Sequence, residues 1–262
     1  MQSKLFFVIL AAFCCFATAR VVAQDEAPKG QLLSVHEDAV IPSMLEKYES
    51  AAKNLSDMIA KNNVPISYIA ANRQDFVYFY FTPVENLGAL DKMGANWAEL
   101  EKKAGKQAFD GAMKQFDGCY LSHKNYLVRM RPELSYNPDF GGQISEGMLF
   151  RHWDFYHIYP GMEKEADDIA KEWVALSKKV GLPDGYRLYS GSFGTDGPVF
   201  IVAQSAKDAV DFYTRQEAWM KKAGDEGKAL WAKTWKAVRK YDSVNGRIRP
   251  DISVLPKETM KK

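Results

Sequence analysis

Cysteine is scarce in this chain of 262 residues: there are three. Cys14 and Cys15 fall in an N-terminal apolar stretch, so Cys119 would stand alone once that stretch is removed. One thiol makes no intrachain disulfide, and the fold must rest on its apolar core. An excess of one charge is also missing. The formal net charge is +2, which offers nothing for nucleic acid to grip. After residues 5–17 no apolar run is long enough for a membrane span. The chain has no Gly-x-Ser-x-Gly, no His-Glu-x-x-His and no Cys-x-x-Cys, so the common signatures of a serine nucleophile or a zinc site are absent. The glycines of residues 191–197 come without a phosphate-loop lysine and read as a hairpin turn.

The start of the chain has the grammar of an export signal. Lys4 supplies the positive charge, residues 5–17 the apolar segment, and Ala17-Thr18-Ala19 or Val21-Val22-Ala23 the small residues for cleavage. A secreted or periplasmic product, cut near Ala19 or Ala23, is the expectation. Phe13 stands before Cys14 where a lipid anchor would want a small residue.

What the chain does carry is a long-range repeat. Residues 129–135 read RMRPELS and residues 247–253 read RIRPDIS, 118 positions later (247 − 129 = 118). Pro42-Ser43-Met44 recurs as Pro160-Gly161-Met162 and Pro65 as Pro183 at the same spacing, and the KKAG of residues 102–105 recurs at 221–224. A period this long exceeds a solenoid unit and suits a duplicated domain. The expected layout is a signal peptide over 1–23, a disordered 24–30, a first unit over 31–138, a linker over 139–147, a second unit over 148–256 and a tail over 257–262.

Both units change periodicity in the same order. Residues 32–41 and 150–159 read as strands. Helical stripes follow, with Leu45, Tyr48, Ala52, Leu55 and Ile59 in one unit and Ala166, Ile169, Trp173, Leu176 and Val180 in the other. Ser43 and Glu46 predict a capping box; Asn63 and Gly181 predict left-handed helix ends, each with proline two residues on. Hairpins (67–71 with 76–81, 186–192 with 199–203) lead to helical segments near 84–119 and 206–241, with Trp97, Phe116, Trp219 and Trp235 as predicted anchors. Each unit closes on a strand carrying its Arg-x-Arg-Pro motif. This strand–helix–strand–strand–helix–strand order is the ferredoxin-like pattern, of the α+β class. It leaves one sheet face bare, which predicts two antiparallel sheets packed as an intrachain pseudo-dimeric α/β barrel.

With this order, and with residues 36–44 reading HEDAVIPSM, the chain resembles the dimeric α/β-barrel superfamily. More narrowly it resembles an uncharacterised group of secreted bacterial proteins with such an opening. The resemblance implies two sheets closing on each other. It leaves the activity open, because members include cofactor-free monooxygenases, haem enzymes and plain binding modules.

Alternation along the closing strands sets Val128, Met130 and Leu134 against Arg129, Arg131 and Glu133, and Ile248 and Ile252 against Arg247, Arg249 and Asp251. The apolar side is expected under the helices and the arginines on the bare face or its rim. Buried cations need partners, so Glu133 and Asp251, or an anionic ligand, should meet them. On the opening strands Ser34, His36 and Asp38 correspond to His152, Asp154 and Tyr156. A polar or anionic ligand between the two sheets would then touch His36, Asp38, Arg129, Arg131, His152, Asp154, Tyr156, Arg247 and Arg249. No metal is expected, since His152 and His157 face opposite sides of a strand. No cofactor is expected either; analogy with haem-binding members makes a haem on His36, His152 or His157 the alternative.

The functional expectation is a secreted small-molecule-binding protein, with no nucleic-acid partner and no membrane span. The alternatives are a cofactor-independent oxygenase- or isomerase-like enzyme with a histidine base, and a ligand-free structural or interaction module.

Overall fold

A computed structural model of the chain describes residues 30–140, 144–145 and 147–255. The expected signal peptide and the 257–262 tail lie outside these residues. The N-terminal half runs β1 (Leu32–Val40), α1 (Leu45–Asn62), β2 (Ile69–Arg73), β3 (Val77–Val84), α2 (Ala89–Ala104), α3 (Lys106–Lys114) and β4 (Tyr120–Met130). The C-terminal half runs β5 (Phe150–Ile158), α4 (Glu163–Val180), β6 (Tyr186–Gly191), β7 (Val199–Ala206), α5 (Ala209–Ala237) and β8 (Val238–Ile248).

The strands form a closed barrel in the order β1-β3-β2-β8-β5-β7-β6-β4, with every pairing antiparallel. Each half supplies four consecutive staves. The halves join where β2 meets β8 and where β4 meets β6, so the outer strands of each half pair with the other half and leave no open edge.

Local chemistry explains most boundaries. Asn63 (φ 50) and Gly181 (φ 64) end α1 and α4 in the left-handed conformation, as the sequence predicts. The two KKAG copies end on glycines that break helices. Gly105 (φ 88) separates α2 from α3, and Gly224 (φ 56, ψ −139) interrupts α5. The predicted capping box does not form: Ser43 lies inside the 3-10 turn Pro42–Met44 and no side chain caps α1. The helical segments are shorter than expected, since β3 runs to Val84 and Tyr241 belongs to β8. Trp235, expected as an anchor, is 45% exposed.

The sheet faces are inverted relative to the sequence expectation. The barrel interior is the apolar side, built from Leu33, Val35, Phe79, Val128, Trp153 and Ile248, and its cavity is about 80 Å³. Closure shields most of the inner face from water and favours apolar residues there, although Arg151, Arg187 and Ser205 also line its cavity. The row holding His36 and Asp38, and that holding His152 and Asp154, instead face outward beneath the helices. The space between the two sheets is therefore mainly apolar core with arginine on its lining, and the histidine–aspartate rows lie outside it.

The repeated arginine motif fastens the halves. The strands end within it, at Met130 and Ile248, and Arg131 and Arg249 sit at 3-10 turns. Arg131 donates to Glu133 (2.5 Å) and, across the joint, to Asp167 on α4 (2.8 Å). Arg249 donates to Asp251 (2.7 Å) and, across the joint, to Glu49 on α1. Ser135 Oγ accepts from Leu188 N (2.9 Å), and Ser253 Oγ accepts from Ala70 N (2.8 Å), again each across the joint. The expected carboxylate pairing thus holds for these two arginines. Arg129 and Arg247 are exposed, and Arg129 donates to the Gly30 carbonyl at 3.1 Å.

Candidate functional site

Each half encloses a cavity between the outer face of its sheet and its helices. The C-half cavity is about 350 Å³. Its sheet wall carries His152, Asp154, Tyr156, Gln204 and Ser243, and its helix wall carries Ala170, Trp173, Trp219 and Trp231. Alternation along β5 puts Trp153 and Phe155 in the barrel and the polar residues between them in the cavity. The helix wall follows from spacing as well, with Ala166, Ile169, Ala170, Trp173 and Ser177 on one face of α4.

His152 is the best-held polar group. Its Nδ1 lies 2.7 Å from Asn245 Oδ1, its Nε2 lies 3.1 Å from Asp154 Oδ1, and its ring stacks on Phe212 at 4.3 Å. Asn245 donates from its amide nitrogen to the Tyr213 hydroxyl (3.0 Å) and turns its oxygen to the histidine. Nδ1 thus faces an amide oxygen, and Nε2 faces Asp154 Oδ1 together with the Ser243 hydroxyl (3.1 Å). Burial works against the charged ring, but the Asp154 hydrogen bond and charge, with the Asn245 contact, outweigh it and raise the His152 pKa. Tyr241 donates to Asp154 Oδ1 at 2.5 Å. Burial, then the Asp154 charge, pushes the Tyr241 phenol well above its usual range, so it stays a donor.

The N-half cavity is wider, about 590 Å³. Its sheet wall includes His36, Asp38, Tyr80 and Asn125, and its helix wall Ala52, Leu55, Trp97 and Phe116. His36 Nδ1 lies 2.9 Å from Asn125 Oδ1 and Nε2 lies 3.0 Å from Asp38 Oδ1. That second contact has ion-pair distance without hydrogen-bond alignment. Tyr48 donates to Asp38 Oδ2 (2.7 Å) and meets Tyr80 OH at 2.9 Å. Burial lowers the His36 pKa and Asp38 raises it, with a net rise.

The sequence-named residues thus separate into three places. His152, Asp154 and Tyr156 share the C-half cavity; His36 and Asp38 share the N-half cavity; the four arginines line neither. Sequence reasoning missed Asn125, Asn245, Tyr48, Tyr80, Tyr241 and the tryptophan wall as site components. The asparagines become visible only through strand register, which pairs His36 with Asn125 and His152 with Asn245.

No family model matches the sequence, and no curated protein does. Solved structures match the fold. An anthrone oxidase-like protein aligns with a TM-score of 0.59 at 12% identity, over 85% of this chain and 92% of its own. A mutant chlorite dismutase from Candidatus Nitrospira defluvii aligns with a TM-score of 0.51 at 9% identity, over 86% and 94%. A proposed monooxygenase from Lactobacillus acidophilus NCFM gives 0.50 at 10%, over 84% and 94%. The fold is accordingly that of the dimeric α/β barrels, closed by one chain.

The haem alternative meets a chemical test here, since an axial histidine needs a free ring nitrogen. His152 has both nitrogens engaged by oxygens, and His157 points Nε2 at Asp242 (3.3 Å) and buries Nδ1. Neither fits the role, whereas His36 Nε2 has only an ion-pair contact to Asp38 and would fit by giving it up. His123, exposed where it borders the N-half cavity, makes ring contacts with His36 and Tyr120. Among the described residues no group of three or more His, Cys, Asp or Glu could hold a metal ion, and no helix is long and apolar enough to cross a membrane.

Proposed function

We propose that the protein binds a neutral, largely apolar aromatic molecule bearing a hydroxyl or keto group, and that it does so in the C-half cavity. The observation that carries this reading is the two-walled chamber of about 350 Å³, with tryptophans on the helix side and the His152–Asp154–Tyr241 row on the sheet side. The volume suits a small organic ligand. Asp154 faces this chamber and none of the four sequence-named arginines lines it, which favours an uncharged ligand over the anionic one expected from sequence. Of the arginines expected to bind an anion, Arg131 and Arg249 pair with carboxylates across the joints, and Arg129 and Arg247 are exposed.

A second reading, an oxygenase- or isomerase-like enzyme, is favoured by the continuous contact from Tyr241 through Asp154 to His152. In that case His152 is the group placed to move a proton, with Asp154 and the Ser243 hydroxyl both on its Nε2. The names of the oxidase-like and monooxygenase structures are consistent with it. The wider setting is also a proposal: export directed by residues 5–17, and an ancestral βαββαβ unit copied within one gene. The recurring strand order and the 118-residue spacing of helix ends and arginine turns support the copying.

Titration with 1-naphthol, followed by tryptophan fluorescence, tests the reading. Saturable quenching is expected, and Trp231→Leu should weaken it severalfold while the protein stays folded by circular dichroism. Absence of saturable binding to the folded wild-type protein would leave the ligand-free scaffold as the better account.

A further inference from the structure

The two cavities contain the same polar assembly, and they do not build it from equivalent positions. The β-bulges fix the equivalence. They fall between Ala39 and Val40 in β1 and between His157 and Ile158 in β5, 118 residues apart. By that alignment Asp154, not His152, is the counterpart of His36, and Ser243 is the counterpart of Asn125. The His-x-Asp pair of the C-half therefore sits two residues earlier on its strand than that of the N-half. The tyrosines that donate to the carboxylates differ in origin too. A tyrosine from helix α1, Tyr48, donates to Asp38, whereas a tyrosine from strand β8, Tyr241, donates to Asp154.

Simple inheritance from one ancestral unit would leave the assembly in register. Its presence out of register in both chambers points to a use in each. Burying the carboxylates Asp38 and Asp154 is also costly as filler, since an apolar row would pack as well. The N-half assembly is the more open of the two: the His36 side chain is 40% exposed against 8% for His152. Opposite it stand Leu55, Trp97 and Phe116 on the helix wall.

We infer that the N-half cavity is a second, separate ligand site, so that each chain binds two aromatic molecules, and that the N-half site takes the larger. The ligand class rests on the reading given for the C-half cavity. A flat apolar body would lie on the helix wall and present its hydroxyl or keto oxygen to His36 and Asn125. The volumes of about 590 and 350 Å³ set the order of size.

Isothermal titration of the full chain with 1-naphthol is expected to give two equivalents. Ala52→Phe, which fills the N-half cavity, should remove one, and Ala170→Phe should remove the other. The bulkier 1-hydroxypyrene should give one equivalent that only Ala52→Phe abolishes. Because either filling variant could fail to fold, ring resonances of His36 and His152 in the unmodified protein provide a second measurement, and both should shift on adding naphthol. One equivalent, lost in Ala170→Phe and leaving His36 unmoved, overturns the second site while the C-half reading stands. Zero equivalents with wild-type protein overturns that reading itself.

Discussion

The N-half cavity is wide and open at its histidine; the C-half cavity is narrow, walled by tryptophans and closed over its histidine. Both hang on one barrel whose interior belongs to neither. Trp153 of β5 packs edge-on against Phe79 of β3 at 5.8 Å, so the core joins the halves while the chambers lie apart outside it. The difference teaches that the barrel supplies stability and the helix layers supply individuality. In a sheet closed on itself the inner face is given mainly to packing, here with a few arginines among the apolar residues, and the outer face is freer to diverge.

That division is broken most severely by Trp153→Ala. Removing a large buried aromatic from the shared core should cost about 3–5 kcal/mol. Because Trp153 contacts the other half, denaturant unfolding should remain a single transition, with both chambers lost together. Two separated transitions in this variant would show that the halves hold their structure independently.

A smaller effect sharpens the contrast between the two histidines. Both have folded pKa values raised by a carboxylate against the effect of burial. A raised histidine pKa contributes stability that is fully present below its unfolded value of about 6.5 and is lost as pH rises through the folded value. Wild-type stability should therefore decline from about pH 6.5 upward, and Asp38→Asn with Asp154→Asn should flatten that decline. In Asp154→Asn the enclosed His152 keeps its burial and loses its counter-charge, so its pKa should fall below the usual value. His36 in Asp38→Asn, being more exposed, should fall less. Ring resonances followed by NMR across pH check the order, and an unmoved His152 would remove the carboxylate as the cause.

Much of this architecture was legible in the amino-acid order. Left-handed helix ends at Asn63 and Gly181, the opening strands, and the strand–helix order all follow from local chemistry that acts within a few residues. The inside and outside of the sheet were not legible. Alternation separates Val128 from Arg129 but does not say which of them meets helices, because that depends on whether the sheet closes. The dyads were visible as His36-x-Asp38 and His152-x-Asp154; their asparagines and tyrosines were not, since cross-strand register and helix placement bring them in from up to 93 residues away. The arginine motifs were conspicuous by repetition and prove to be fasteners, which shows that a repeat can mark a joint rather than a site.

The smallest effect is expected one helical turn beyond Trp173. Ser177 on α4 occupies the place that Ile59 holds on α1, 118 residues earlier, and both are fully buried. Ile59 packs with Val64, Ile66 and Leu100, whereas Ser177 Oγ borders the C-half cavity beside the Tyr186 hydroxyl, without a well-formed hydrogen bond among the described residues. A buried hydroxyl without a partner costs about 1–3 kcal/mol relative to one that is satisfied. Ser177→Ala should therefore leave stability within about 0.5 kcal/mol of wild type or raise it slightly, the relief of the hydroxyl offsetting the small void. Thermal melting measures this directly. If Ser177→Ala keeps its melting temperature and yet binds naphthol several times more weakly, the hydroxyl is retained for the ligand, and the serine-for-isoleucine exchange becomes a further mark of the chamber in which it sits.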